Sequence, residues 1–323
     1  MRRPIFDGHV DLVYGLMRHH PQVPFHQVAS GPVTLSDMNR AGVKVIVSAL
    51  YCPDEYNGPG TSAGHLRGLF QYADEFLTGL QHVGTAAALA ACLDAATGTG
   101  MIELLENADA LVDGAVSLSE LKDRGIWMVG LTHAGVNRIG QGNGVGHPEG
   151  LTAAGKNLVK ALDKNGFGID IAHLADPCFY DLLDIYNGPL ISSHTGFRQF
   201  CPRSRNLDRE HLEAVFNRQG VVGVTVNPEM LALDGRVGVE DVFRQIDWLV
   251  QGYGPQGVGL GTDFYGFDLE TLGLPDLAGL RGLEEMFDRH GYDEDSISRI
   301  MGGNWAVFYA GLPVGPETRT PSK

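Results

Sequence analysis

Short apolar runs rich in Val, Ile and Leu recur along the chain at residues 4–10, 43–51, 101–105, 126–132, 168–172, 189–193, 221–226 and 257–261, with helix-length segments between them. Most are continuous rather than alternating, as expected of parallel strands covered on both faces. The run at 101–105 is the weakest, because Glu103 interrupts it. Helical periodicity predicts helices over 66–82, 117–124, 153–165, 208–218 and 239–251. Several end at a glycine (Arg124-Gly125, Asn165-Gly166, Gln219-Gly220), where a left-handed cap is wanted. Eight strands alternating with helices predict an α/β chain folded as one (β/α)₈ TIM barrel over residues 1–312, with a loose tail at 313–323. A doubly wound open sheet is the alternative, but no GxGxxG follows the first run. Segment 52–64 holds three Gly, two Pro and no period, so a long loop lining any pocket is expected after strand 2.

Charge narrows the function classes. With 24 Lys+Arg against 39 Asp+Glu the formal net charge is −15, which argues against nucleic-acid and anionic-membrane partners. Apolar residues are 43% and charged residues 20% of the 323, ordinary globular usage. The 44 glycines are about twice the average ~7% share and suit many tight strand–helix turns. Cys52, Cys92, Cys178 and Cys201 form no CxxC pair, so free thiols are expected rather than a zinc ribbon or a disulfide framework. The opening MRRPIFDGHVDLV has no apolar leader core, and no run of ~18 apolar residues occurs, so a cytoplasmic protein is the default expectation.

The placement of the histidines changes the picture most. His9 and Asp11 stand two apart at the end of strand 1, so both side chains face the same side. His133 ends strand 4, His173 strand 5 and His194 strand 6, and Asp263 ends strand 8. Six polar groups at the carboxyl ends of five strands converge on one mouth if the barrel closes, where barrel enzymes keep their active sites. Singly, each has an ordinary reading as a rim histidine or a turn aspartate. Jointly they point to a metal site, and neutral imidazoles with carboxylates suit Zn²⁺ and related divalent ions. No strand ends in a lysine suited to a carbamylated bridge, so a second metal would need an Asp or Glu from strand 3.

These segments resemble the membrane (renal-type) dipeptidase family of the amidohydrolase-like barrels. Asp7-Gly-His9-Val-Asp11-Leu is similar to the family's DGHxDL, and Gly130-Leu-Thr-His133 to its LTH. Gly150-Leu-Thr-Ala-Ala-Gly155 followed by Ile169-Asp-Ile-Ala-His173 resembles GLTxxG…DLSH. Pro189-Leu-Ile-Ser-Ser-His194 with Arg203-Ser-Arg205-Asn206 resembles PVIxSHS…RN; Val258-Gly-Leu-Gly-Thr-Asp263-Phe and Gly302-Gly303-Asn304 resemble VGIGSDF and GGN. The match runs in order from residue 5 to about residue 309.

The resemblance implies two zinc ions per chain bridged by a glutamate. Glu106-Asn-Ala-Asp-Ala-Leu resembles the family's EGADxL and lies 27 residues before His133, which makes Glu106 the bridge, with Glu103, Asp109 and Asp113 as competitors. His9 and Asp11 would hold one ion, His173 and His194 the other. His133 would contact the scissile carbonyl or oxyanion. Arg205, with Arg203 and Arg198 as rivals, would pair with the substrate's terminal carboxylate. Asp263 would take a proton from a metal-bridging hydroxide and pass it to the departing amine. The implied activity is hydrolysis of dipeptides, including L-Xaa-D-Xaa, by a homodimer. The alternatives are an N-acyl-amino-acid or other amide hydrolase and a barrel that binds metal or ligand without turnover. Val10, Asn107, Asn227 and Tyr265 depart from the family's usual residues and put specificity in doubt.

Overall fold

A computed structural model describes residues 3–312 apart from 235, 269 and 270, so the expected tail at 313–323 lies outside the described residues. Eight strands carry the barrel: β1 Ile5–Val10, β2 Val43–Tyr51, β3 Gly100–Glu106, β4 Met128–Gly130, β5 Gly168–Asp170, β6 Leu190–Thr195, β7 Val222–Val224 and β8 Val258–Leu260. All neighbouring pairs are parallel. The ring closes because β2 pairs with β3 from Val45↔Gly100 to Tyr51↔Glu106, and β1 pairs with β8 at Asp7↔Leu260. The fold is therefore the (β/α)₈ barrel that the sequence predicts. Among the described residues no helix is long and apolar enough to cross a membrane.

Local chemistry sets the element ends. Thr34, Thr85, Ser117, Thr152 and Asp208 each accept a backbone N–H in the first turn of the helix they open. Gly42 takes φ +72° to end the helix Leu35–Ala41 just before β2. β1, β3 and β6 are buried at every residue, polar ones included, as in parallel strands covered on both faces. The helix expected over 66–82 instead spans Thr61–Phe76. Its end is followed by Gln81–His82, a two-residue strand that pairs with Gly100 and Met101 at the start of β3. Inside the barrel, Trp305 of the helix Asn304–Gly311 packs against Phe6 and donates from Nε1 to the Leu260 carbonyl at 2.8 Å. A Cβ on Gly8 would lie 2.3 Å from that indole, so the glycine between Asp7 and His9 makes room for the core.

Candidate metal centre

Every barrel strand points its carboxyl end at the same mouth, and the polar residues gather there. His9 lies in β1, and Asp11 just beyond it lies with its Oδ1 3.8 Å from His9 Nε2, on the same side as the two-residue period requires. Glu106 is the last residue of β3, and its carboxylate divides: Oε2 is 3.6 Å from His9 Nε2 and Oε1 is 3.0 Å from His173 Nε2. His194, in β6, places Nε2 3.1 Å from His173 Nε2 and 3.8 Å from Asp263 Oδ1. His173 and Asp263 each sit three residues past their strands at φ +65° and +66°, a left-handed conformation uncommon outside glycine. A loop after β4 holds the first turn and strand β1 holds the second. The Asn143 N–H donates to the His173 carbonyl at 2.9 Å, and the Asp263 N–H donates to the His9 carbonyl at 3.0 Å.

The donor set fits cations. Ligand atoms of His9, Asp11 and Glu106, and of Glu106, His173 and His194, form two groups within 4.8 Å that share Glu106; His9, His194 and Asp263 form a third. His9 Nε2, Asp11 Oδ1 and Glu106 Oε2 are buried without a hydrogen-bond partner, which is costly unless something else satisfies them. Burial, reinforced by the nearby Arg205 and other histidines, holds His173 and His194 well below the ordinary imidazole range, so both offer lone pairs. Burial also acts against protonation of His9, but the Asp11 and Glu106 carboxylates outweigh it and push it up to about 9. A positive charge is thus demanded among these carboxylates, and a metal ion meets that demand with shorter, stronger bonds.

Around the ligands lie groups suited to a substrate. Arg205 donates from Nη2 to the His194 carbonyl at 3.1 Å, while its Nη1 is buried and unpartnered. The rival Arg198 is bound to Asp176 and Asp208, and Arg203 is exposed at the rim. His133 donates from Nδ1 to Asp54 Oδ2 at 3.0 Å, an oxygen that also accepts from the Gly135 N–H at 2.9 Å. Asn227 donates from Nδ2 to Asp263 Oδ2 at 3.0 Å. Burial pushes Asp263 up to about 7, with the Asp11 carboxylate adding to it. Asp54 and Tyr51, whose ring lies 4.7 Å from that of His133, were not identified from sequence. Asp54 stands 79 residues before His133 in an aperiodic segment, and no local signal marks it.

Competing carboxylates are occupied elsewhere. Glu103 is buried against Arg124, with Oε2 2.6 Å from Nε. Asp109 accepts from the backbone and side chain of Arg138 at 2.8 and 3.0 Å, and Asp113 pairs with the same guanidinium at 2.8 Å. Strand parity held the available clue: 103 and 106 differ by an odd number, so the two glutamates face opposite sides of β3.

Two departures have structural reasons. Asn107 takes φ +68°, which glycine adopts freely and asparagine better than most residues. Its amide also donates to the Cys52 carbonyl at 2.7 Å and accepts from Asn137 at 2.8 Å, tying the β2 and β4 loops to Glu106. Tyr265, at φ +73°, stacks on His19 with ring centroids 5.9 Å apart. Val10 is wholly buried in the core. At Gly266 a Cβ would lie 2.3 Å from Asp263 Oδ1 and 2.6 Å from Asp11 Oδ2, so only glycine leaves the carboxylates their space.

The site opens into a cavity of about 540 Å³ lined by Asp11, Tyr14, Tyr51, Glu106, His133, His173, Arg203, Arg205, Asn227, Glu229, Met230 and Asp263, among others. The family described as membrane dipeptidase (peptidase family M19) matches residues 1–308. Among solved structures, a dipeptidase AC, described as a metallo peptidase of family M19, is 26% identical with a TM-score of 0.82, covering 96% of this chain and 98% of that one. A metallo peptidase from Rhodobacter sphaeroides, liganded with a phosphinate mimic of the dipeptide L-Ala-D-Ala, is 25% identical with a TM-score of 0.81, covering 96% and 99%. The uncharacterized protein in the pqqA 5′ region of Klebsiella pneumoniae is 35% identical over 179 residues, 52% of this chain and 66% of that protein. The matches to the first curated relatives span about half to two thirds of the relatives' length.

Proposed function

The chain belongs to the membrane dipeptidase family, peptidase family M19, and from that premise we propose that it is a zinc-dependent dipeptidase with two ions per chain. The observation that carries the reading is the division of the Glu106 carboxylate between His9 on one side and His173 on the other. His9 and Asp11 would hold one ion, His173 and His194 the second, and Glu106 both. Such an ion pair, when bound, supplies an ionised water at neutral pH and polarises the scissile carbonyl.

The protein's own groups do the rest. Asp263, its Oδ2 held by Asn227, takes up the proton of the attacking water and delivers it to the leaving amine nitrogen. Burial works against a charge on His133, but Asp54 and Glu106 outweigh it and raise its pKa, so the imidazolium donates from Nδ1 to Asp54 and has Nε2–H to give to the oxygen that gains charge in the transition state. The free Nη1 of Arg205 meets the substrate's terminal carboxylate in a charge-assisted bond. Substrates of this class are dipeptides with a free C-terminus. The L-Ala-D-Ala mimic held by the Rhodobacter sphaeroides relative supports extending the class to L-Xaa-D-Xaa. The resemblance also leads us to expect a homodimer.

The test is a panel of L,L- and L,D-dipeptides and N-acyl-amino acids, assayed with added Zn²⁺ and after chelation, with metal content measured alongside. Dipeptide cleavage that disappears on chelation and returns with Zn²⁺ is the expected result. Cleavage of acyl-amino acids alone would replace the dipeptidase reading with an acyl hydrolase. Two bound ions without turnover of any substrate would leave a binding barrel.

A further inference from the structure

A single buried hydroxyl stands between the two halves of the centre. Ser193 Oγ is 2.9 Å from His9 Nδ1 and 2.9 Å from His194 Nδ1. The serine is fully buried. Its backbone N–H donates to Asp170 Oδ1 at 2.9 Å. Asp170 Oδ1 is itself fixed by the Ala172 N–H at 3.0 Å.

A hydroxyl has one hydrogen to give and two lone pairs to offer. With His9 and His194 read as ligands, the Nε2 of each ring is bare and turned to the metal side, so a neutral ring carries its hydrogen on Nδ1. With Nδ1–H on both His9 and His194, Ser193 Oγ accepts from the two rings at once.

We propose that Ser193 is the positioning residue shared by the two metal sites: anchored by Asp170, it fixes the tautomer and ring orientation of one histidine ligand of each ion. The inference rests on the reading of His9 and His194 as ligands of different ions. His173 serves as a contrast, because its Nδ1 is buried without a partner. Ser192, the preceding residue in β6, is equally buried, yet its Oγ has no hydrogen-bond partner. Ser192→Ala therefore deletes a hydroxyl from the same strand that makes no hydrogen bond to a ligand.

The experiment measures Zn²⁺ affinity and stoichiometry of the full chain by competition with a chromophoric chelator, together with thermal unfolding of the metal-free protein. Wild type is expected to bind two ions. Ser193→Ala should weaken both by about 10- to 100-fold, the usual loss when an outer-shell partner of a ligand is removed. Ser192→Ala should bind as wild type does. Ser193→Thr keeps the hydroxyl and should recover both ions, which separates loss of the hydrogen bonds from general damage to β6. Two ions bound at wild-type affinity by a folded Ser193→Ala protein would overturn the proposal, as would weakening of one site alone. A wild-type chain that takes up no pair of ions would instead overturn the metal reading on which the proposal stands.

Discussion

Replacing Asp263 with asparagine isolates the proton-transfer step from metal binding and folding. The residue sits at φ +66°, where alanine would cost about 1–2 kcal/mol in backbone strain and asparagine is tolerated. Asparagine also keeps the volume of a side chain only 5% exposed. Its carbonyl oxygen can still accept from Asn227 Nδ2, 3.0 Å from Oδ2 in the wild type. What it cannot do is take up a proton from water and release it to an amine. General acid–base groups contribute roughly 10²–10⁴ in rate, or about 3–5 kcal/mol of transition-state stabilisation. Expected for Asp263→Asn is a fall in kcat of that size, with KM for dipeptides little changed because Arg205 and His133 are untouched. Two metal equivalents should remain, since His9, Asp11, Glu106, His173 and His194 keep their places. Steady-state kinetics on one dipeptide, metal analysis of the same preparation and a thermal melt suffice. A kcat within a fewfold of wild type, in protein carrying both ions, refutes the assignment of Asp263.

Three further outcomes follow from the geometry. Gly266→Ala puts a methyl 2.3 Å from Asp263 Oδ1 and 2.6 Å from Asp11 Oδ2; it should lower metal content and abolish most turnover, and a fully loaded, active Gly266→Ala enzyme would contradict the crowding. Arg205→Lys retains the charge but loses the guanidinium fork, so KM for dipeptides should rise by about 10- to 150-fold, the equivalent of one hydrogen bond to a charged group. An unchanged KM would place the carboxylate anchor elsewhere. Burial works against ionisation of Asp109, but its bonds to Arg138 outweigh that and hold its pKa below the ordinary carboxylate value. A depressed folded pKa gives stability that is present above the unfolded value near 3.9 and lost as pH falls through the lower folded value. Urea unfolding should show wild type about 1–3 kcal/mol more stable than Asp109→Asn at pH 7, with the gap closing below about pH 4; a gap independent of pH would show that the ion pair is not its source.

The amino-acid sequence by itself determined the alternation of strands and helices, the closed barrel and the polar residues at the strand ends. Continuous apolar runs and a two-residue side-chain period are local properties, and parallel strands joined by helices put all their carboxyl ends on one face. That is why the sequence alone gathers His9, Asp11, His133, His173, His194 and Asp263 at one mouth. The resemblance singled out Glu106, but why Glu103 and Asp109 do not compete is visible only in the fold, where Arg124 and Arg138 occupy those two carboxylates. The fold alone also revealed Asp54 behind His133, Asn227 on Asp263 and Ser193 between two imidazoles, pairs up to 184 residues apart. Such hydrogen bonds join side chains that no periodicity relates. They exist because closing the sheet brings side chains from the ends of distant segments within about 3 Å of one another, a hydrogen-bond distance that the linear order of residues does not encode.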